Sequence, residues 1–182
     1  IVGPGSPAVT LAQVEMQRFG VSTMMLLGPT ESLVIADESA DPVRLAADLL
    51  VEAEHGTDSS VVLVTTSAAL ADATDLQLAE QLQALPDVRA TAARASLGPN
   101  GGCVIVDDLD MAIHVANEYA AEHLQVAVAD DQVDFVVDGL INAGEILVVG
   151  LDAGVDDADL DSAAVGADRD RLGRLHIGDA VG

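Results

Sequence analysis

Two glutamate–histidine pairs are the residues of this chain best suited to chemistry. Glu52 and His55 lie three apart within DPVRLAADLLVEAEHG, a spacing that puts both side chains on one face of the last turn of a helix. Glu122 and His123 are adjacent in sequence. A carboxylate beside an imidazole can hold a divalent metal, or it can move a proton near neutrality, because histidine titrates at about 6.5. A histidine that closes a helix also has a plainer role as partner to the negative end of the helix dipole, and a solitary Glu-x-x-His is more often that.

These pairs need elements to position them. Asp41 is a good N-cap, Pro42 suits the first helical position and Gly56 the residue just past the end. Val43, Ala46, Ala47, Leu50 and Ala53 recur between them at helical spacing. Glu54 is turned about 100° per residue away from the two candidate ligands and reads as structural or solvated. Further helices are expected from about Pro7 to Phe19, stopped by Gly20, and after Ser67, with Leu70, Leu76, Leu78 and Leu82 as apolar positions. Another opens at Asp107 or Asp108, carries Met111, Ile113, Val115 and Ala116 and runs to Tyr119, and a short one covers Asp131 to Leu140. The stretch from Val88 to Ala95 suits either a strand or a short helix. Continuous apolar runs at Leu33–Ala36, 61–66, 103–108, the LQVAVAD segment and 146–150 read as buried strands.

Short apolar strands alternating with helices specify an α/β fold: a mostly parallel sheet of about five strands with helices on both faces, an incomplete Rossmann-like unit. In such sheets functional sites are expected at the carboxyl ends of the strands. Residues 1–150 form this domain. Residues 151–182, rich in Asp, Ala and Gly, read as an acidic, weakly ordered tail with Arg169, Arg171 and Arg174 near its end. Aspartates from Asp152 to Asp161 lack the glycine and final glutamate of a calcium loop.

Composition narrows the function classes. Half of the 182 residues are hydrophobic, yet there are only one Tyr and two Phe and no Trp, so Ala, Val, Leu and Ile must build the core. The single Cys103 rules out an internal disulfide and a cysteine zinc cluster. No apolar run approaches the roughly 20 residues of a membrane span, and the first residues lack a basic segment followed by an apolar one, so a cytoplasmic protein is expected. Thirty-one acidic residues face seven basic ones, all arginine, for a net charge of −24. That charge argues against nucleic acid or an anionic membrane as partner. It suits either concentrated salt, which screens self-repulsion, or a genome of biased composition.

Laid out in order, GPGS, LLGPTESLVIADESADP, AADLLVEAEHG, SSVVLVTTS, NEYAAEHL and INAGEILVVG resemble the histidinol dehydrogenase family, whose usual motifs here are GPGN, AGPSE-x-LVIAD, DLLSQAEHG, YAPEHL and NAGS. The resemblance covers residues 1 to about 150 and less than half of a typical member. It implies two-step oxidation of L-histidinol to L-histidine with NAD and a bound zinc ion, in a homodimer or with a complementing chain. Carried over by motif, Glu52 and His55 fall on zinc- and substrate-binding positions, and Glu122 and His123 on the acid/base pair. Thr30 falls on a substrate-contacting serine, and Ser6 on an asparagine that contacts the cofactor. His176 and Asp159 lie where further ligands would be sought, without matching surroundings, and His114 reads as packed or exposed. Two alternatives stand beside this one: a non-catalytic α/β scaffold or binding protein, and a related dehydrogenase of another amino or hydroxy alcohol.

Overall fold

The structure, a computed structural model, describes residues 7–23, 28–149 and 174–175. Five strands run parallel: β1 (Glu31–Ala36), β2 (Ser60–Thr65), β3 (Gly102–Ile105), β4 (His123–Ala127) and β5 (Glu145–Val148). Their order is β3-β2-β1-β4-β5, and a two-residue β6 (Arg174–Leu175) pairs antiparallel to β5. The winding reverses between β1 and β4, as in doubly wound α/β folds. Among the described residues six helices accompany the strands: α1 (Pro7–Gln17), α2 (Pro42–Ala53), α3 (Ala68–Gln81), α4 (Asp87–Leu97), α5 (Leu109–Tyr119) and α6 (Asp130–Gly139).

Strand alternation divides the core into two layers. Val34, Ala36, Val61 and Leu63 pack against Leu45, Leu49, Leu50 and Ala53 of α2, with Leu70, Leu82 and Ala93 from α3, its C-cap and α4. On the other face Leu33, Ile35, Val64, Leu124, Val126 and Ile146 meet Ala112, Ile113 and Ala116 of α5 and Val136 of α6. Each fully buried Val, Leu or Ile is worth about 1.5–3 kcal/mol of hydrophobic stabilisation before entropy is counted. Central strands covered on both faces read as unbroken apolar runs for this reason.

The helix starts follow the expected chemistry. Asp41 accepts a hydrogen bond from the Val43 amide at 2.9 Å, Ser67 from Leu70 at 3.2 Å and Asp108 from Met111 at 2.8 Å. Gly20 takes the left-handed φ of 73° that ends the first helical segment. Residues 87–97 are helical, which resolves the stretch that suited either state.

Several expectations need correction. The buried stripe of α2 is Leu45, Ala46, Leu49, Leu50 and Ala53, while Val43 is half exposed; the larger leucines set the rotation of the helix. Leu76 and Met111 face solvent. The strand expected at 103–108 is four residues long and, among the described residues, has a strand neighbour on one side only, and its Val104 and Ile105 are exposed. The expected tail at 151–182 lies outside the described residues apart from the backbone of 174–175. Among the described residues no helix is long and apolar enough to cross a membrane.

The loop that follows α2 is tied down from α4 and its continuation. Ser96 Oγ lies 2.9 Å from the Gly56 carbonyl and 3.1 Å from that of Ala53, and Asn100 Nδ2 donates to the carbonyls of Thr57 and Ser59. Gly101 passes so close that an added Cβ would run into the carbonyl oxygens of Val61 and Ser96. Gly101→Ala is therefore expected to cost about 1–3 kcal/mol in urea unfolding. Gly28→Ala, with nothing within 4 Å of its Cβ position, should stay within about 0.5 kcal/mol of the parent.

Candidate functional site

Two distant sequence motifs are brought together by one asparagine. Asn117, on α5, donates from Nδ2 to the Gly139 carbonyl at 2.9 Å, and its Oδ1 accepts from the amides of Ile141 and Asn142 at 2.8 and 3.3 Å. Asn142 Nδ2 returns a bond to the Asn117 carbonyl at 3.1 Å. NEYAAEHL and INAGE are thereby stapled side by side. Ala120, in the left-handed region at φ 56°, caps α5 and turns the chain toward β4. The Gly144 amide donates to the Ala121 carbonyl at 3.0 Å and the Glu145 amide to that of Glu122 at 2.9 Å. A Cβ at Gly144 would sit 2.8 Å from the Glu122 carbonyl oxygen, so glycine is needed for this approach.

His123 opens β4 and pairs in register with Ser32 of β1 on one side and Glu145 of β5 on the other. Its Nδ1 lies 3.4 Å from Glu145 Oε2, and its Nε2 lies 3.9 Å from Glu122 Oε1. Glu52, Ser32, Gln125 and Leu147 join His123 and Glu145 around a cavity of about 180 Å³. One turn before Glu52, Asp48 accepts a 2.6 Å hydrogen bond from Gln125. A polar seam thus runs between α2 and β4, at the end of the sheet where the α2–α4 layer gives out.

His55 faces elsewhere. It is exposed, its Nδ1 is 3.1 Å from the Glu52 carbonyl, and it lines a separate cavity of about 580 Å³ with Thr30, Asp58, Ser59 and residues of α1. Nδ1–H donation to that carbonyl leaves Nε2 outward as a lone-pair donor. Glu52 and His55, expected as one pair, line adjacent but different cavities, and so do His55 and His123. Thr30 accompanies His55, while Glu52 accompanies His123. Ser6 lies outside the described residues. His114 is exposed, and Glu54 accepts from Arg89 at 3.0 Å, a structural pairing.

The site lies at the wrong edge for the topological rule. Thr30 precedes β1, His123 and Glu145 begin β4 and β5, and α2 delivers Glu52 and His55 as it returns to the start of β2. All five stand at the amino ends of the strands. The carboxyl edge at the β1/β4 reversal carries Asp37, Glu38, Asp107, Asp108 and Asp131 around an open depression. Asp37 is buried there and accepts from the amides of Ser39 and Ala129, each at 3.0 Å. No glycine-rich turn follows β1, and these carboxylates would repel a pyrophosphate, so this crevice does not fit a dinucleotide.

Zinc raises a similar question of fit. Carboxylate oxygen and imidazole nitrogen are suitable donors, but a tetrahedral site needs four. Among the described residues no three His, Cys, Asp or Glu side chains come together as a metal site. Glu52 and His55 do not by themselves complete one.

Glu145 is the site residue that sequence reasoning missed. Its signal was available: it stands two residues after the asparagine–alanine pair of INAGE, where the family motif NAGS has serine, but only the strand register shows that it faces His123.

Burial pushes the Asp48 carboxyl above the usual aspartate range, against the opposing effects of the Gln125 hydrogen bond and the Arg44 charge. A carboxyl raised on folding binds its proton more tightly in the native state, so its contribution is full below the unfolded value of about 3.9 and is lost as pH rises through the folded value. Asp48→Asn should match the parent's stability in acid and gain on it progressively toward neutrality. Urea midpoints at about pH 4 and about pH 7 measure this, and a difference that does not change with pH would exclude it.

Comparison with known proteins completes the site's description. The family model described as Histidinol dehydrogenase matches residues 1–154. Histidinol dehydrogenase of Rhizobium meliloti (strain 1021) is 44% identical over 149 residues, 81% of this chain and 33% of that protein. That of Mycobacterium tuberculosis (strain ATCC 25618 / H37Rv) is 47% identical over 130 residues, covering 71% and 29%. The crystal structure of histidinol dehydrogenase from Elizabethkingia anophelis superposes with a TM-score of 0.71 at 36% identity, covering 87% of this chain and 35% of that one. The chain spans about a third of the length of these relatives. With the family model matching most of its length, the chain belongs to the histidinol dehydrogenase family.

Proposed function

We propose that this chain supplies the proton-transfer corner of a histidinol dehydrogenase, an NAD- and zinc-dependent oxidoreductase of histidine biosynthesis. The observation that carries the reading is His123 held at the mouth of a small polar cavity, with Glu122 beside one ring nitrogen and Glu145 beside the other. Oxidising an alcohol removes a proton from oxygen and a hydride from carbon. His123 is the acceptor for the proton, and Glu122, half exposed beside it, activates the water that hydrates the aldehyde before the second oxidation. Thr30 and His55 contact the substrate from the neighbouring cavity, with Glu52 reaching it from the His123 side. Glu52 and His55 are the residues offered toward zinc, and Ser6 the one offered toward NAD. The remaining ligands and the cofactor pocket come from residues outside those described, in the same longer protein, a complementing chain or a homodimer partner.

The reading further takes residues 1–150 as the family domain, 151–182 as an appended acidic segment, and the protein as cytoplasmic. One observation favours a second reading, a scaffold without catalysis: Glu52 and His55 line different cavities.

A chimera separates the two. The matching segment of the Rhizobium meliloti enzyme is replaced by residues 1–150 of this chain, and NADH formation from L-histidinol is followed by absorbance. Under the first reading the chimera turns over, and His123→Ala lowers its kcat by about 10²–10⁴-fold. A folded chimera without activity supports the scaffold. This chain assayed alone should show little or no turnover.

A further inference from the structure

Two carboxylates flank one histidine at the amino edge, a third lines the same cavity, and they are not equivalent. Glu122 precedes His123 in the chain and is half exposed, with its Oε1 3.9 Å from Nε2. Glu52 reaches the same cavity from α2. Glu145 comes from the neighbouring strand, is only 20% exposed and places Oε2 3.4 Å from Nδ1. Its position does not depend on a flexible loop: the Glu145 amide is bonded to the Glu122 carbonyl, and β4 and β5 pair His123 directly with Glu145.

A neutral imidazole carries one proton on one nitrogen, so it can donate to only one of two flanking carboxylates. The partner that is closer and less hydrated wins that proton, because the hydrogen bond to a charged acceptor strengthens as water is excluded. That partner is Glu145. We propose that Glu145 is a positioning residue that holds the His123 ring with its proton on Nδ1 and so leaves Nε2 as the free base on the Glu122 side. This builds on the reading of His123 as proton acceptor, but the ring's tautomer is a property of this chain whether or not the enzyme reading holds. Glu145 does not touch the reacting atoms in this account. It sets which nitrogen does.

The test uses the full chain, labelled with ¹⁵N in histidine, at mildly alkaline pH. Two-bond proton–nitrogen spectra distinguish the tautomers, and His123→Asn assigns the signal. The parent is expected to show His123 mainly as Nδ1–H. Glu145→Ala should return it to the Nε2–H form that an unconstrained histidine side chain prefers, and Glu145→Gln should retain Nδ1–H, because its amide oxygen still accepts. His55 and His114 serve as internal references and should not change. An Nε2–H tautomer in the parent would overturn the proposal, and this outcome needs no variant to fold. An unchanged Nδ1–H signal in folded Glu145→Ala would overturn it as well. In the active chimera, Glu145→Ala should lower kcat about tenfold or more with little change in KM, and Glu145→Gln should recover most of the loss. If the tautomer switches as expected while every chimera is inactive, the positioning role stands and the enzyme reading falls.

Discussion

The seating of β4 between β1 and β5 is the constraint on which the rest of the molecule depends. Ladder pairing puts Ser32, His123 and Glu145 in one row across three strands. The period of two then sends His123 and Gln125 to the α2 side and Leu124 and Val126 into the layer covered by α5 and α6. A slip of one residue would bury the imidazole under α5 and expose two core side chains, so the hydrophobic pattern itself protects the site's geometry. The Asn117 clamp and the Gly144 approach act at the same place, fixing how the chain enters β4 and β5. Packing and chemistry share one register here.

The two edges of the sheet differ in charge and in the side chains they gather. In many doubly wound sheets the carboxyl edge binds a phosphate with helix amino termini and glycine turns. Here that edge is lined with aspartate, and Asp37 satisfies its own loop's amides. The amino edge instead gathers the last turn of α2, the residue before β1 and the first residues of β4 and β5, a mix of hydroxyl, carboxylate and imidazole suited to protons and a small polar molecule. The chain spans about a third of a family member's length.

Much of the fold was legible in the sequence because local signals agreed. Asp41, Ser67 and one of the two aspartates offered, Asp108, cap their helices, and the apolar runs at Leu33–Ala36, 61–66 and LQVAVAD are the three innermost of the five parallel strands. The errors arose where tertiary context decides. Apolar residues at 103–106 could not disclose that their strand would have one neighbour. The rotation of α2 depends on which side chains the sheet can accommodate, so Val43 was misplaced and Leu45 and Leu49 were missed. At the site, helical spacing was expected to put Glu52 and His55 on one face, but the helix ends at Ala53 with Glu54 as its C-cap, so His55 lies beyond it and lines a different cavity. The contact between His123 and Glu145 spans 22 positions in the chain and is written only in strand pairing.

The outermost strand has a consequence of its own. Among the described residues β3 has no sheet partner on one side of its backbone and shows Val104 and Ile105 to solvent, which is a template for another extended chain. Asp107 and Asp108 lie just past its end, and a molecule of charge −24 repels its own copies. Electrolyte weakens that repulsion over a few ångströms. The same ions that ease crowding among acids within one fold thus remove the barrier between folds, so ionic strength pulls conformational stability and colloidal stability in opposite directions.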